Sequence, residues 1–372
     1  MIEGKARFLP NILRYTDKDK TINMIKYAYS YLTNTGRCPI RYALIEITEK
    51  CNLRCIMCAA NKKIKREKEM SYDLFKKIID ESCECGLQIV TIGSIGEPTM
   101  HKDLPKMLKY IQEKKINIEL ITNLSRPLNE DLIDAIRRLD KLTISIDGAT
   151  KETYEKIRVN ANFERTISNL KEVAKAKKDS QYITINYVIQ KENYREIPKM
   201  IKLLDSIGNI NKLSTGFAHI GMDMGVRIQL NNDELDEFKN IIVPECEKYN
   251  EKQVIATNHL LKSAYWENND IYSAQQKDKK VPQEIFQMPC YILWTNTFIS
   301  PEGIFHPCCT FFKKKDYYLG DAKEQSFKEI WNGKKYNELR KNFKKNKHPS
   351  CRHCTGYTIN RKIHNMIKFR KP

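Results

Sequence analysis

From residue 42 onward, short β-branched runs alternate with longer stretches in which apolar residues return every three or four positions. The runs are YALIEIT at 42–48, QIVTIG at 88–93, INIELIT at 116–122, KLTISID at 141–147, YITINYVI at 182–189 and KLSTGF at 212–217. Runs of this kind predict strands, and the stretches between them predict amphipathic helices. One such helix is SYDLFKKIIDESCECG at 71–86, with Ser71 as its cap and Gly86 as its stop. Near-continuous apolar strands between helices mark a parallel sheet covered on its faces. About six such units predict an open or partial barrel rather than a closed eight-unit one. In these sheets function gathers at the carboxyl ends of the strands. CNLRC begins shortly after the first run, GEP at 96–98 follows the second, TN at 122–123 ends the third, and SIDG at 145–148 ends the fourth. The four unusual loops therefore share one rim.

Around this pattern the chain divides into four parts. Residues 1–40 are a basic leader with one amphipathic helix, TINMIKYAYSYL at 21–32, expected to pack over a barrel end rather than lie on a membrane. Residues 41–230 carry the barrel pattern. Residues 231–285 turn polar and helical and read as a connector, and 286–372 form a second, small cysteine-rich module.

Composition adds limits. A chain of 372 residues with 41% apolar content can bury a sizeable core. The net charge of +19 suits a phosphorylated substrate, nucleic acid or an anionic membrane surface. The lysines are nevertheless spread along helical segments, which reads plainly as a solvated surface. The basic clusters NKKIKREK at 61–68 and KNFKKNK at 341–347 lack the interleaved aromatic platform on which bases stack, so nucleic acid is not an expected partner. No apolar run approaches the roughly 20 residues that span a bilayer, and the start, MIEGKARFLPNILRY, has no secretory block. A cytoplasmic protein without a membrane span is expected.

Twelve cysteines would be odd as disulfides in a reducing compartment, and their grouping points to metal. Cys38, Cys83, Cys85 and Cys246 are scattered and read as small buried apolar residues. The stretch CNLRCIMC at 51–58 offers three thiols, one short of a structural zinc set. Three thiolates can hold three irons of a four-iron cube and leave the fourth iron open to another ligand. A zinc knuckle completed by a remote histidine is the alternative. In the second module Cys290, Gly303 and Cys308 hold the spacing Cx12Gx4C around a hairpin expected to turn at PEG, and Cys351 and Cys354 supply a CxxC. Four thiols make a closed site, which either iron-sulfur or zinc would fit.

The CxxxCxxC spacing with its Asn-Leu-Arg interior resembles the signature of the radical S-adenosylmethionine (SAM) superfamily. In order, CYILW, PEGIFHPCC, LGD, SFKEIWNGKKYNELR and CRHC resemble the C-terminal SPASM, or shorter twitch, domains of radical enzymes. The resemblance covers roughly residues 40–220 and 286–356. It implies an α/β fold, a partial (β/α)6 TIM-like barrel followed by a small hairpin-and-helix twitch domain. It also implies SAM on a [4Fe-4S] cluster held by Cys51, Cys55 and Cys58. One auxiliary [4Fe-4S] cluster would sit on Cys290, Cys308, Cys351 and Cys354, with Cys309 able to substitute for Cys308. Only one is expected because no cysteine follows Cys354.

Gly96, Glu97 and Pro98 would meet the methionine amino group, Ser145 and Arg158 the ribose and carboxylate of SAM, and Asn123 would add a contact. Ser94 and Ile95 depart from the usual double glycine, and Met57 stands where an aromatic residue often meets the adenine. The implied chemistry is reductive cleavage of SAM, fed by a reductant such as flavodoxin or ferredoxin, to a 5'-deoxyadenosyl radical that abstracts a substrate hydrogen. An electron passed to the auxiliary cluster would make the net reaction an oxidation of the dehydrogenase kind. No motif names the substrate. A sugar, aminocyclitol or nucleotide-sugar, phosphorylated or nucleotide-linked, is the first expectation, because only about 40 residues precede the first strand and peptide-modifying relatives often carry a longer recognition domain. Peptide or protein modification of the SPASM type is the second, and a zinc-ribbon interaction protein without catalysis the third.

Overall fold

The computed structural model describes residues 17–58, 67–218, 228–251, 256–257, 259–262 and 288–344, together with residues 348, 351, 360 and 364. All six expected runs are strands: β1 (Tyr42–Ile45), β2 (Ile89–Ile92), β3 (Asn117–Thr122), β4 (Lys141–Ser145), β5 (Tyr182–Ile189) and β6 (Lys212–Phe217). Each pairs in parallel with the next. The expected helix spans Tyr72–Glu84, with the Ser71 side chain accepting from Leu74 N and Gly86 following in the left-handed region at φ +86°. The basic cluster at 61–66 lies outside the described residues.

The sheet extends past the six units. β7 (Ala256–Thr257) adds in parallel to β6, and β8 (Asn296–Ile299) adds in parallel to the free edge of β1. Antiparallel β9 (Ile304–His306) and β10 (Gly320–Asp321) follow, giving one sheet in the order β10-β9-β8-β1-β2-β3-β4-β5-β6-β7. The hairpin turns at 301–303, where PEG stands, with Gly303 at φ +85°. The cysteine-rich module, expected as a separate unit, is therefore continuous with the barrel wall.

Strand side chains alternate between two faces. One face is apolar: Val90, Ile92, Leu120, Leu142, Ile144, Ile183 and Leu213 are buried against Phe75, Ile79, Met107, Leu170 and Met200 of the covering helices. The opposite, inner face carries Thr91, Glu119, Lys141, Thr143, Thr184 and Lys212. Glu119 gathers three of them, accepting from Thr91 Oγ1 at 3.1 Å and Thr143 Oγ1 at 2.8 Å and pairing with Lys141 Nζ at 2.6 Å. Closed eight-strand barrels fill this space with bulky branched residues. Here polar groups line it.

Two sequence expectations are revised. The helix Asp17–Thr33 packs on the C-terminal module and not over a barrel end: Trp294 Nε1 donates to Ser30 O at 3.0 Å, and the Tyr31 ring lies 5.1 Å from that of Trp294. Tyr31 stacks against Tyr291 and Trp294, while Ile25 and Leu32 remain 63% and 74% exposed. The polar stretch read as a connector is in part a packed wall. Leu235, Phe238, Ile242, Val243 and Cys246 form a helical stripe in the main core, with a π-helical turn at Phe238–Ile242. Residues 263–285 lie outside the described residues. Of the scattered cysteines, Cys38 and Cys246 are buried, whereas Cys83 and Cys85 are half-buried against the same core. Among the described residues no helix is long and apolar enough to cross a membrane.

Candidate functional site

Past β1 the chain enters the loop 51–58, which is held from three sides. Arg54 N donates to Val159 O and Ile56 N to Ile157 O, both at 2.9 Å, so that Cys55 lies opposite Arg158 between the two bonds. Asn52 Nδ2 donates to Ser125 Oγ at 2.8 Å, and Asn52 Oδ1 accepts from Asn123 Nδ2 at 3.0 Å. Lys50 O accepts from Glu97 N at 2.8 Å. Cys55 is 9% exposed, and Cys51 and Cys58 are half-buried. Among the described residues no three His, Cys, Asp or Glu side chains converge on a single metal ion. Thiolates on a four-iron cube bind different irons and stand further apart, which suits this loop better than a zinc knuckle does.

The GEP loop is built against that cysteine loop. A Cβ on Gly96 would stand 2.1 Å from Thr48 O and 2.8 Å from Lys50 O, so only glycine lets the two loops meet. Glu97 is buried, and both its oxygens are used. Oε1 accepts from Thr99 N at 3.2 Å, Thr99 Oγ1 at 2.7 Å and Thr122 Oγ1 at 2.5 Å; Oε2 accepts from Asn123 N at 2.7 Å. Its side chain caps the 3-10 turn Pro98–Met100 and fixes the end of β3. Glu46 supports the loop from β1, accepting from Ile95 N at 2.6 Å and Gly96 N at 3.3 Å. Burial pushes its carboxyl up to about 8, with the charge of Glu97 a smaller cause.

At the end of β4, Ser145 stands opposite Asn186 of β5. Asp147, two residues on, is fully buried; its Oδ1 accepts from Val188 N at 2.7 Å, and its Oδ2 from Arg158 Nε at 2.8 Å and Nη2 at 2.7 Å. Arg158 Nη1 lies 3.9 Å from Cys55 Sγ. Asp147 thus occupies one edge of the Arg158 fork that the resemblance assigns to SAM, and the remaining nitrogen faces Cys55.

In the C-terminal module, Cys290, Cys308 and Cys351 pack on one apolar cluster of Cys38, Leu293, Trp294, Phe311 and Phe343. Cys290 N donates to Phe343 O at 3.3 Å, and Asn360 Nδ2 approaches Cys290 Sγ at 3.9 Å. Cys309 is half-buried, within electrostatic reach of Cys308 and of the Tyr42 hydroxyl at the start of β1. Cys354 lies outside the described residues. Fully buried Glu49, beside the rim loop, pairs with Lys313 of this module at 2.7 Å.

Residues 45–204 match the model of the radical SAM superfamily, and residues 290–355 match that of the SPASM iron-sulfur cluster-binding domain. The chain is a radical SAM enzyme with a C-terminal SPASM domain. As such it uses SAM, a [4Fe-4S] cluster and an auxiliary cluster. This radical SAM chain is 25% identical over 329 residues, 85% of its length and 87% of the relative's, to the tungsten-containing aldehyde ferredoxin oxidoreductase cofactor-modifying protein of Pyrococcus furiosus. It is 25% identical over 301 residues, 78% of its length and 73% of the relative's, to PqqA peptide cyclase of Granulibacter bethesdensis. Among solved structures, Streptococcus suis SuiB bound to S-adenosylmethionine has the same fold, with a TM-score of 0.64 and 17% identity over 96% of this chain and 81% of that one.

The structure brings Asn123 and Arg158 against the cysteine loop, sets Gly96 and Glu97 against residues 48–50 just before it, and places Pro98 at the start of the following 3-10 turn and Ser145 at the end of β4 on the same rim. Glu46, Glu49 and Asp147 were missed as parts of the radical SAM site. The first left a signal, a charge inside the otherwise apolar run YALIEIT.

Proposed function

We propose that this enzyme oxidises a small, polar, negatively charged molecule on the inner face of its barrel: a sugar, aminocyclitol or nucleotide-sugar carrying phosphate. In this reading Cys51, Cys55 and Cys58 hold the SAM-binding cluster. Cys290, Cys308, Cys351 and Cys354 hold the auxiliary one, Cys308 being preferred to Cys309 because it shares the apolar setting of Cys290 and Cys351. Bound at the rim, SAM and its cluster supply a carbon-centred radical able to take a hydrogen atom from an unactivated carbon. The chain's own residues position and shield. The backbone of Gly96 and Glu97, with Asn123 and Ser145, contacts SAM, and the barrel wall keeps water from the reacting carbon. Loss of a hydrogen atom, then of one electron and one proton, removes two hydrogens from the substrate; the auxiliary cluster is the assigned destination of the electron. A carrier such as flavodoxin or ferredoxin supplies the reducing electron.

The observation that carries the substrate class is the polar inner face at the rim end of the sheet, where Ser145 of β4, Asn186 of β5 and Ser214 of β6 stand in one cross-strand row. Lys141 and Lys212 open β4 and β6 at the opposite, amino-terminal end, where Glu119 balances Lys141. The cofactor-modifying name of the Pyrococcus furiosus relative is consistent with a small-molecule substrate. Peptide modification is the second reading, favoured by the similarity to PqqA peptide cyclase.

The test is anaerobic incubation of the reduced, reconstituted protein with phosphorylated sugars and nucleotide-sugars and, separately, with short peptides, read by mass spectrometry. Loss of two hydrogens from a phosphorylated small molecule is expected, and Asn186→Leu should raise its KM roughly tenfold. Conversion of peptides alone overturns the first reading.

A further inference from the structure

Arg340 sits on the helix Lys334–Asn342 and is completely buried. Its Nε donates to Leu293 O at 3.1 Å, and its Nη1 to Trp331 O at 2.7 Å and Asn337 Oδ1 at 2.9 Å. The guanidinium lies 4.4 Å from the ring centres of both Trp331 and Tyr336. Gly36 makes room for it, since a Cβ there would stand 2.7 Å from Nη1 and 2.5 Å from Trp331 O. All three acceptors are neutral, and among the described residues Nη2 has no hydrogen-bond partner. Buried charges are ordinarily paired or set against a metal centre. The other arginine at a cysteine site, Arg158, follows that rule through Asp147. Arg340 does not.

The acidic groups within electrostatic reach of the guanidinium are the Tyr336 hydroxyl and the Cys38 thiol, and Cys38 packs in the same apolar cluster as Cys290, Cys308 and Cys351 of the auxiliary site. Leu293, whose carbonyl Arg340 holds, follows Cys290 by one 3-10 turn, and Phe343, whose carbonyl holds Cys290 N, follows Arg340 by one helical turn. Tyr336, stacked on the guanidinium, lies within electrostatic reach of both Cys290 and Cys308. We propose that Arg340 is a positioning residue for the auxiliary cluster: its uncancelled charge balances four thiolates and raises the reduction potential of that cluster relative to the rim cluster, where Asp147 cancels Arg158. The potential of an iron-sulfur centre follows its local charge, hydrogen bonding and burial, so a nearby cation favours the reduced form. The inference rests on the ligand assignment proposed above, and it explains why the auxiliary site, and not the rim, receives an electron from substrate.

The experiment uses the full chain, reconstituted anaerobically, as wild type, Arg340→Gln and Arg340→Lys. Redox titration followed by electron paramagnetic resonance gives a midpoint for each cluster. Arg340→Gln should cut the equilibrium constant for reduction of the auxiliary cluster about tenfold, a fall of 59 mV for one electron, and leave the rim cluster unmoved. Arg340→Lys should restore most of the difference. A second readout is the rise in Tm on cluster loading, which should shrink in Arg340→Gln; a purely structural arginine lowers the loaded and cluster-free proteins equally. An unmoved auxiliary midpoint, or equal losses in both forms, overturns the proposal. Failure of the ligand assignment looks different: wild type would then hold about four irons per chain instead of about eight.

Discussion

At the rim, three cysteines come from eight consecutive residues, and the buried arginine beside them is bonded twice to Asp147. In the C-terminal module, Cys290, Cys308 and Cys351 arrive from three separated segments, and the buried arginine near them has no carboxylate. The first arrangement is local and electrically neutral around its thiols; the second is assembled by tertiary packing and retains a positive charge. The ligands alone would make the two sites similar. In the reading proposed above, their surroundings give each a separate role, one that releases an electron and one that accepts it.

The comparison breaks most visibly at the cysteines. Cys55→Ala should bring 5'-deoxyadenosine formation from SAM below detection, whereas changing Cys351 and Cys354 together to Ala should leave that cleavage measurable while substrate conversion stops. Product assay by liquid chromatography distinguishes the two, and full turnover in the second variant would remove the auxiliary site from the reaction.

A matched pair of glycine substitutions sharpens it. Gly96→Ala forces a methyl against Thr48 O at the rim, and Gly36→Ala forces one against Trp331 O and Arg340 Nη1 in the module. Each should destabilise the fold by about 1–3 kcal/mol. Gly96→Ala should lower SAM affinity with the auxiliary signal intact; Gly36→Ala should do the reverse. Calorimetric SAM binding and paramagnetic resonance read the split.

The smallest effect concerns pH. The Glu46 carboxyl is raised from 4.5 to about 8, so the folded state holds a proton that the unfolded state gives up. Its stabilising contribution is complete below about pH 4.5 and is lost as pH rises to about 8. Wild type should lose Tm relative to Glu46→Gln across that window. Parallel curves would mean that Glu46 is already ionised under the GEP loop.

Much of this was readable before folding. The six strands were legible because each is a short run rich in apolar and β-branched residues between helix-length stretches, and the rim loop because its cysteines are close enough in sequence for spacing to carry chemistry. The hairpin turn was legible through PEG. The pairing of β8 with β1 was not, since nothing in NTFI specifies which edge it will join. The partner of Arg158 was hidden because Asp147 reaches it across an intervening helix, Lys151–Ile157. Arg340 was less legible still: KKYNELRKN reads as a charged surface helix, and only the packing of Trp331 and Tyr336 makes one of its cations internal. Glu46 and Glu119 left clues, as lone charges within strand runs, that one face of the sheet would line a chamber.

The contact between β1 and β8 also sets an order of events during synthesis. Tyr42 leaves the ribosome long before its partner Asn296 exists, so one edge of the first strand stays unpaired while the rest of the barrel forms. An open strand edge is a template for mispairing with other chains, and distant partners make folding slow. Nascent chains truncated before Asn296 should therefore depend on chaperones far more than the finished protein does.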